Sequence, residues 1–88
     1  MNCYVYILYS KTRDKYYVGQ TDNLEERLAS HNSGKSPYTS SAKDWELKYF
    51  ETFDNRTDSR KRENAIKRKK SRKYIESLLS ASSRPGSG

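Results

Sequence analysis

The stretch of sequence that decides the fold is residues 3–20, which read CYVYILYSKTRDKYYVGQ. It consists of two runs of apolar and aromatic residues, 3–9 and 16–20, separated by the polar, turn-like segment 10–15. Two strand-like runs joined by a short polar segment are typical of a β-hairpin. The first run is apolar throughout, which indicates a strand covered on both faces. The chain is therefore predicted to begin with two antiparallel strands.

The register of this hairpin determines where its tyrosines point. If Tyr9 pairs with Tyr16, then Tyr6 lies opposite Gly19, and Tyr6 and Tyr17 project from the same face of the sheet. Glycine opposite Tyr6 leaves space for the ring, where a larger side chain would fill it. A register shifted by one residue would place the two tyrosines on opposite faces. A shared tyrosine site therefore depends on this register.

A helix is predicted directly after the hairpin. Asp22 can cap its N-terminus, and Glu25 can complete a capping box. The helix should end at Ser30 or His31, before an Asn-Ser-Gly segment. Four residues follow i, i+3, i+4, i+7 spacing and share a stripe that should face the sheet: Leu24, Arg27, Leu28 and His31. Arg27 and His31 should therefore point inward, where the arginine charge needs a partner.

A long loop and a third strand are predicted next. Residues 32–44 are rich in Ser, Gly and Lys, which is typical of a surface loop. Residues 45–53 alternate, which predicts a strand. Five of its side chains are expected on one side: Trp45, Leu47, Tyr49, Glu51 and Phe53.

Two further helices complete the domain. One is predicted over 57–70, and Ser71 can cap another that ends at about Leu79. The sequence thus predicts one domain, residues 1–79, with a flexible tail over 80–88. Its fold class is α/β (α+β), a three-stranded antiparallel sheet flanked by helices in the order β-β-α-β-α-α.

The positive charge of the chain is concentrated in one segment. The 88 residues carry a net charge of +7, and residues 56–73 hold ten basic residues against Asp58 and Glu63, a net +8 that leaves −1 for the rest. A solvated helix face can carry such charge, but its concentration in one element favours a polyanion. We therefore expect a nucleic acid, DNA in the first place, as the partner. A membrane surface fits poorly, because this segment has few apolar residues to insert.

Composition also limits the compartment. No run of about 20 apolar residues exists, which excludes a transmembrane helix. The chain enters a strand pattern without a basic n-region and an apolar h-region, so we expect no signal peptide. The single cysteine, Cys3, cannot form an internal disulfide and suits a reducing compartment. We therefore expect a small, basic, cytoplasmic monomer.

The hairpin carries two short tyrosine motifs, and three polar residues follow them. The motifs are Tyr4-Val5-Tyr6 and Tyr17-Val18-Gly19, and the later residues are Arg27, His31 and Glu63. In this order the chain resembles the GIY-YIG nuclease superfamily over about residues 2–79. It is most similar to small stand-alone members related to the N-terminal nuclease domain of an excision-repair endonuclease. The resemblance implies an endonuclease or nickase that acts on DNA, with low sequence specificity, in repair or processing.

The resemblance also implies a role for each polar residue. Glu63 would bind one divalent ion, Mg²⁺ or Mn²⁺, and Arg27 would contact the phosphate. Tyr6 or Tyr17 would take a proton from the attacking water, and His31 would orient the water or a tyrosine hydroxyl. The basic segment adds six candidates for nucleic-acid contact: Arg60, Lys67, Lys69, Lys70, Arg72 and Lys73.

Two departures from the family pattern leave other functions open. Tyr4 stands where the first motif has glycine, and the family's late asparagine falls near Ile75, where the chain has none. Four polar residues nearby would have to substitute for it: Lys67, Lys70, Ser71 or Lys73. The alternatives are a catalytically weak or inactive nucleic-acid-binding module, which could rely on a protein partner, and a protein-interaction domain that uses the basic helix.

Each candidate residue also has a structural interpretation. Arg27 could pair with Glu51 or Glu63, and Glu63 could pair with Lys67 at i+4. His31, near a helix C-terminus, could make a favourable dipole contact. These pairings can be checked directly in the structure.

Overall fold

The structure, a computed structural model, describes residues 2–34 and 42–82. These residues form three strands, which are β1 (Cys3–Ser10), β2 (Lys15–Thr21) and β3 (Trp45–Phe53). They also form three helices, which are α1 (Leu24–Asn32), α2 (Arg56–Lys69) and α3 (Arg72–Ser82). The strands make one antiparallel sheet in the order β2-β1-β3. This confirms the predicted three-stranded sheet and the element order β-β-α-β-α-α.

The register of the β1–β2 hairpin is the predicted one. Tyr9 pairs with Tyr16 and Tyr6 pairs with Gly19, so Tyr6 and Tyr17 lie on the same face of the sheet. β1 is the central strand, with a partner on each side and a covered run of side chains on both faces. The continuous apolar run thus correctly predicted a buried strand.

The two faces of the sheet bury separate clusters. On the first, which we call the Val5 face, α2 and α3 cover four buried residues: Val5, Ile7, Val18 and Ile66. On the second, which we call the Tyr6 face, α1 packs on another four: Tyr6, Leu8, Ala42 and Trp45. Neighbouring residues of β1 alternate between the clusters because successive strand side chains point to opposite faces. One strand therefore supplies both halves of the core.

A bulge in β3 shows that the predicted one-sided alternation of this strand is wrong. Tyr49 pairs with Ile7 and Leu47 pairs with Leu8, so Lys48 is an extra residue on β3. The extra residue shifts the alternation by one position. The five side chains are thus divided into Trp45 and Leu47 on the Tyr6 face, and Tyr49, Glu51 and Phe53 on the Val5 face.

The first helix has a different N-cap from the predicted one. Asn23, and not Asp22, holds this position, because its side chain accepts a hydrogen bond from the backbone N–H of Glu26 at 3.1 Å. The N–H of Asn23 is itself held by the Thr21 hydroxyl at 3.1 Å. β2 continues through Thr21, which moves the start of the helix one residue along the chain. Asn and Asp cap equally well, so composition did not separate them.

The other two helices differ from the prediction at their ends. α2 is capped by Asn55, and Lys70, predicted as its last residue, instead has a left-handed conformation with φ 48° and ψ 38°. The hydroxyl of Ser71 accepts a backbone N–H in the first turn of α3, as predicted for a cap. α3 continues to Ser82, and residues 83–88 of the predicted tail lie outside the described residues. The proposed domain limits therefore stay a prediction.

The segment predicted as a surface loop, residues 32–44, is tied to the core at both ends. The side-chain amide of Asn32 holds the backbone of Trp45, accepting its N–H at 2.7 Å and donating to its carbonyl at 2.9 Å. Ala42 is buried beside Trp45, which corrects the prediction that the whole segment lies at the surface. Residues 35–41 lie outside the described residues.

Two further expectations concern the buried thiol and the membrane. Cys3 is buried with a free thiol and packs like a small apolar side chain. Across residues 2–34 and 42–82, each helix is too short or too polar to cross a bilayer.

Candidate active site

The Tyr6 face carries two tyrosines that contact each other. Their ring centroids are 6.3 Å apart, and Tyr6 is almost fully buried, whereas Tyr17 is partly exposed. Gly19 makes room for this pair: a Cβ at this position would lie 2.5 Å from the Tyr6 hydroxyl and 2.7 Å from its Cζ. A larger residue would therefore force the Tyr6 ring to move. The space predicted at Gly19 is occupied by the tyrosine itself.

Helix α1 adds a histidine and an arginine to the tyrosines. His31 is fully buried, and its Nε2 lies 2.9 Å from the Tyr6 hydroxyl. The Nε of Arg27 donates to the same hydroxyl at 3.4 Å. Because arginine can only donate, the Tyr6 oxygen accepts from Arg27, and its own proton can be donated to a neutral His31. The inward orientation predicted for both residues holds for His31, whereas most of Arg27 is exposed and only its Nε reaches the buried hydroxyl.

Burial and these contacts shift the pKa values of the group. Burial raises the pKa of Tyr6 to about 12, although the hydrogen bond from Arg27 opposes this. Burial lowers the pKa of His31, and the charge of Arg27 lowers it further. The hydrogen bond to Tyr6 is the main cause that raises the pKa of Arg27, and Tyr17 adds to it. At neutral pH the site therefore combines a neutral Tyr6, a neutral imidazole and a guanidinium cation.

Glu63 reaches this site from α2, which packs on the Val5 face. Its largely covered carboxylate binds the Nζ of Lys67 at 2.7 Å, which is the structural pair that the i, i+4 spacing predicted. The same Nζ lies 5.9 Å from the ring centroid of Tyr17. The negative charge of Glu63 also contributes to the raised pKa of Tyr6. Lys67 therefore connects the carboxylate on α2 with the tyrosine pair.

Neither acidic residue suggested as a structural partner of Arg27 pairs with it. Glu51 is held by Arg62 through two hydrogen bonds of 2.9 and 3.0 Å, and Glu63 is held by Lys67. Within the described part of the chain Arg27 forms no ion pair, and its contact is with the tyrosines. Its positive charge is therefore not neutralised at the edge of the site.

The residues around Glu63 fit a metal ion that is held mainly by water and substrate. In residues 2–34 and 42–82 no group of three or more His, Cys, Asp or Glu side chains could enclose a metal. Mg²⁺ often binds through one or two carboxylates together with waters and substrate phosphates. The single carboxylate of Glu63 suits this mode, with Lys67 as a competitor that must move aside.

The six candidates for nucleic-acid contact are all exposed, and they lie in different surroundings. Three of them line a groove beside Tyr17: Lys67, Lys70 and Arg72. Arg60 lies in a separate hollow nearer the start of α2. Lys69 lies over the ring of Tyr74, with its Nζ 5.3 Å from the centroid, and Lys73 is an exposed residue of α3.

A polar cleft next to Arg27 contains an arginine that the sequence did not single out. The cleft has a volume of about 300 Å³, and Arg27, Arg56 and Gln20 are among the residues that line it. Asp22 and Glu26 also line it and offset part of the charge. Two arginines in one cleft can bind phosphate oxygens through several donors. Arg56 begins α2, and only the tertiary fold brings it to α1, so no sequence spacing could have revealed it.

Fold and site together define the class of this protein. The family model described as the GIY-YIG catalytic domain matches residues 2–75, and the chain belongs to this family. The resemblance recognised in the two tyrosine motifs is thereby confirmed. The family supports a nuclease-type domain, and its nucleases generally use divalent metal ions.

Several relatives of the chain are small UPF0213 proteins. The chain is 42% identical over 66 residues to one from Clostridium perfringens, which covers 74% of this chain and 70% of the relative. It is 39% identical over 82 residues to one from Bacillus pumilus, covering 88% and 82%. The solution NMR structure of the UPF0213 protein BH0048 from Bacillus halodurans is similar at a TM-score of 0.61 and 32% identity, over 97% of this chain and 89% of that one. Both sequence and structure thus place the chain beside small UPF0213 proteins of this family.

Proposed function

We propose that this domain hydrolyses phosphodiester bonds in DNA with one divalent metal ion, Mg²⁺ or Mn²⁺. The observation that carries the proposal is the hydrogen-bonded group of Arg27, Tyr6 and His31 beside Tyr17, with the carboxylate of Glu63 close by. A hydrolase of this kind needs a base, a cation for the phosphate and a metal ligand. This group supplies a candidate for each.

Accessibility favours Tyr17 over Tyr6 as the tyrosine that takes the proton from water. Tyr6 is 1% exposed and both of its hydrogen-bonding directions are used, whereas Tyr17 is partly exposed. The raised pKa of Tyr6, about 12, also disfavours its phenolate. The cations Arg27 and Lys67 both lie near Tyr17, where they can hold a phosphate beside it.

Tyr6 and His31 then serve as positioning residues. The Tyr6 hydroxyl accepts from Arg27 and donates to His31, so it fixes the guanidinium relative to Tyr17. A fully buried His31 can hold this hydroxyl without moving into solvent. The remaining donors of Arg27 are then available for the phosphate, where charge develops in the transition state.

The metal ion would be held by Glu63 after Lys67 releases the carboxylate. When bound, the ion supplies a positive charge that polarises the phosphate and stabilises the leaving oxygen. The released Nζ of Lys67 stays next to Tyr17 and can contact a neighbouring phosphate oxygen.

The proposed function extends to how the basic segment, residues 56–73, selects its substrate. The basic segment attracts DNA without reading its bases, so cleavage should have low sequence specificity and depend on salt. We propose a cytoplasmic monomer in DNA repair or processing, in which a protein partner can add specificity.

A plasmid-nicking assay tests the proposal. Supercoiled plasmid is incubated with the protein and Mg²⁺ or Mn²⁺, beside Glu63→Gln, Tyr17→Phe and Tyr6→Phe. We expect Glu63→Gln and Tyr17→Phe to lower the nicking rate by about 10²–10⁴-fold, the usual range for a lost acid–base group. Tyr6→Phe should cost about 10-fold, because it removes a positioning contact.

The matched control is Glu25→Gln, which makes the same chemical change at an exposed carboxylate of α1. It should nick like the unchanged protein. Nicking that persists in Glu63→Gln would show that another protein in the preparation is the nuclease. A larger loss in Tyr6→Phe than in Tyr17→Phe would reverse the proposed roles of the tyrosines.

Two observations favour a second function, a nucleic-acid-binding module without cleavage. The Glu63 carboxylate is already paired with Lys67, and the family's late asparagine is absent near Ile75. Retained DNA binding without nicking in either metal would support this second function.

A further inference from the structure

A second groove, separate from the polar cleft, is lined in part by Tyr17. It has a volume of about 460 Å³ and runs between β2 and the junction of α2 and α3. Apolar side chains that line it include Tyr16, Ile66 and Ile75, which are covered or partly covered. The size is within the usual range for small-molecule sites, about 300–1,000 Å³. The groove is therefore large enough for one nucleotide.

The border of this groove is positively charged. Four exposed cations line it: Lys15, Lys67, Lys70 and Arg72. Arg72 is paired with Asp14, and Lys67 is paired with Glu63. Over the ranges 2–34 and 42–82, neither Lys15 nor Lys70 forms an ion pair. An apolar interior with unneutralised cations at its border is complementary to a ligand with a flat apolar part and an anionic part.

The backbone at Lys70 supports a role for its side chain. Its φ of 48° lies in the left-handed region, which glycine adopts with less strain than any other residue. A glycine would therefore end α2 more favourably. The lysine instead brings a cation to the groove at the point where the chain turns from α2 to α3.

The groove and the candidate active site share Tyr17 and Lys67. Tyr17 lines the groove, and its ring also contacts His31, with centroids 4.9 Å apart. Arg72 holds another wall in place, since its Cζ lies 5.2 Å from the ring centroid of Tyr16. A ligand in the groove would therefore lie next to a phosphate held at Tyr17.

From this geometry we propose that the groove binds the nucleotide adjacent to the cleaved phosphodiester, with its base among Tyr16 and Ile75 and its phosphate at Lys70. The inference rests on the proposed function, because it places a substrate residue beside that site. A base in this groove is unpaired, so the substrate strand leaves its complement at this position. An acidic peptide would match the charge but has no flat apolar ring for the groove.

Binding of thymidine 3′,5′-bisphosphate, followed by two-dimensional amide NMR, tests this proposal. The probe has a base and two phosphates but no internucleotide bond, so binding is measured without cleavage. We expect the largest changes in amide chemical shift at Tyr16, Lys70 and Ile75. Lys70→Gly should weaken binding by about tenfold, as expected for a lost charge-assisted contact, while the melting temperature stays equal or rises.

The matched control is Lys61→Ala, which removes one positive charge from an exposed site of α2 outside the groove. It should weaken binding less than about twofold, since only non-specific attraction is lost. The proposed subsite would be overturned if both variants lost the same amount of probe affinity, or if the amide shifts were confined to the cleft of Arg27 and Arg56. An affinity for inorganic phosphate equal to that for the probe would also overturn it. Shifts of the same size with an oligoglutamate peptide would do so as well.

These outcomes are separate from those of the nicking assay. Probe binding at Lys70 without nicking would support the subsite and reject catalysis. Nicking that depends on Glu63, with unchanged probe affinity in Lys70→Gly, would reject the subsite alone.

Discussion

The two faces of the sheet are built by the same strands but bury different chemistry. The centre of the Val5 face is apolar, and its charged pair, Glu51 with Arg62, lies partly exposed at the border. The Tyr6 face has His31 fully buried and bonded to a tyrosine hydroxyl. Because successive side chains of β1 point to opposite faces, one strand supplies both the apolar core of the Val5 face and the tyrosine group of the Tyr6 face. Changes on the Val5 face should therefore affect mainly stability, and changes on the Tyr6 face mainly activity.

The largest effect is expected from Ile66→Ala on the Val5 face. Ile66 is 1% exposed and joins α2 to the apolar cluster, so its truncation leaves a cavity. We expect a loss of about 2–5 kcal/mol in the free energy of unfolding, which lowers the melting temperature of a domain of this size by more than about 8 °C. Urea and thermal unfolding measure this loss.

Ile66→Val is the graded control, with an expected loss of about 0.5–1.5 kcal/mol. Because Ile66 also lines the groove beside Tyr17, Ile66→Ala should slow nicking, but by less than Gly19→Ala does, at temperatures where it remains folded. A folded Ile66→Ala protein without activity would show that the two faces are not independent.

Gly19→Ala should have the next largest effect, on the Tyr6 face. The new Cβ would meet the Tyr6 hydroxyl at 2.5 Å, so the ring must move and its bonds to Arg27 and His31 weaken. A displacement of about 1 Å in such a site costs roughly 10²-fold in rate, and overpacking costs about 1–3 kcal/mol of stability. The nicking rate and urea unfolding measure the two losses.

Gly34→Ala is the matched control, because its Cβ would meet nothing within 4 Å, while its φ of +82° strains any other residue. It should lose about 1–2 kcal/mol of stability and keep its nicking rate. An unchanged rate in Gly19→Ala would show that the position of the Tyr6 ring does not matter for cleavage.

The sequence predicted the hairpin register and the element order because both depend on local patterns. The two apolar runs predicted the hairpin, and the structure has the pairing of Tyr9 with Tyr16 that puts Tyr6 and Tyr17 on one face. The bulge at Lys48 could not be predicted, because the sequence of β3 alternates without interruption on both sides of it. Only the pairing with β1 shows that the extra residue moves the two halves of this pattern to opposite faces of the sheet. The N-cap at Asn23 was missed because Asp22 offers the same chemistry one residue earlier.

The candidate site was predicted as a set of residues but not as an arrangement. Helical spacing alone indicated that Arg27 and His31 share a face. It could not decide among the possible partners of Arg27, because the tertiary fold determines which of them comes near α1. The fold brings Tyr6 to Arg27 and leaves Glu51 on the opposite face of the sheet. The role of Arg56 in the polar cleft depends on the same long-range packing.

The smallest effect, the pH dependence of stability, tests whether the Tyr6 face holds His31 neutral. Burial and then Arg27 lower the pKa of His31 below the ordinary 6.5, and the rings of Tyr6 and Tyr17 pack against the imidazole. Between the lowered pKa of His31 in the folded protein and 6.5, the unfolded chain therefore binds more protons than the folded one. The free energy of unfolding rises with pH through this window, and the stability that depends on a neutral His31 is lost below it. Urea unfolding of the protein and of His31→Gln measures this: the stability difference between them should shrink as the pH falls below 6.5.

The chain has one histidine, so its imidazole signal can be followed by proton NMR without assignment and without a variant. The midpoint of this titration should lie below 6.5 in the folded protein and return to about that value in urea. A midpoint at or above 6.5 in the folded protein would contradict the prediction, and a midpoint above neutral pH would mean that the imidazole is charged at its contact with Tyr6. The Tyr6 hydroxyl would then accept from both Arg27 and His31, and its own proton would need another acceptor. In that case the two faces would differ in buried charge as well as in polarity, and His31 could not be the acceptor that fixes Tyr6.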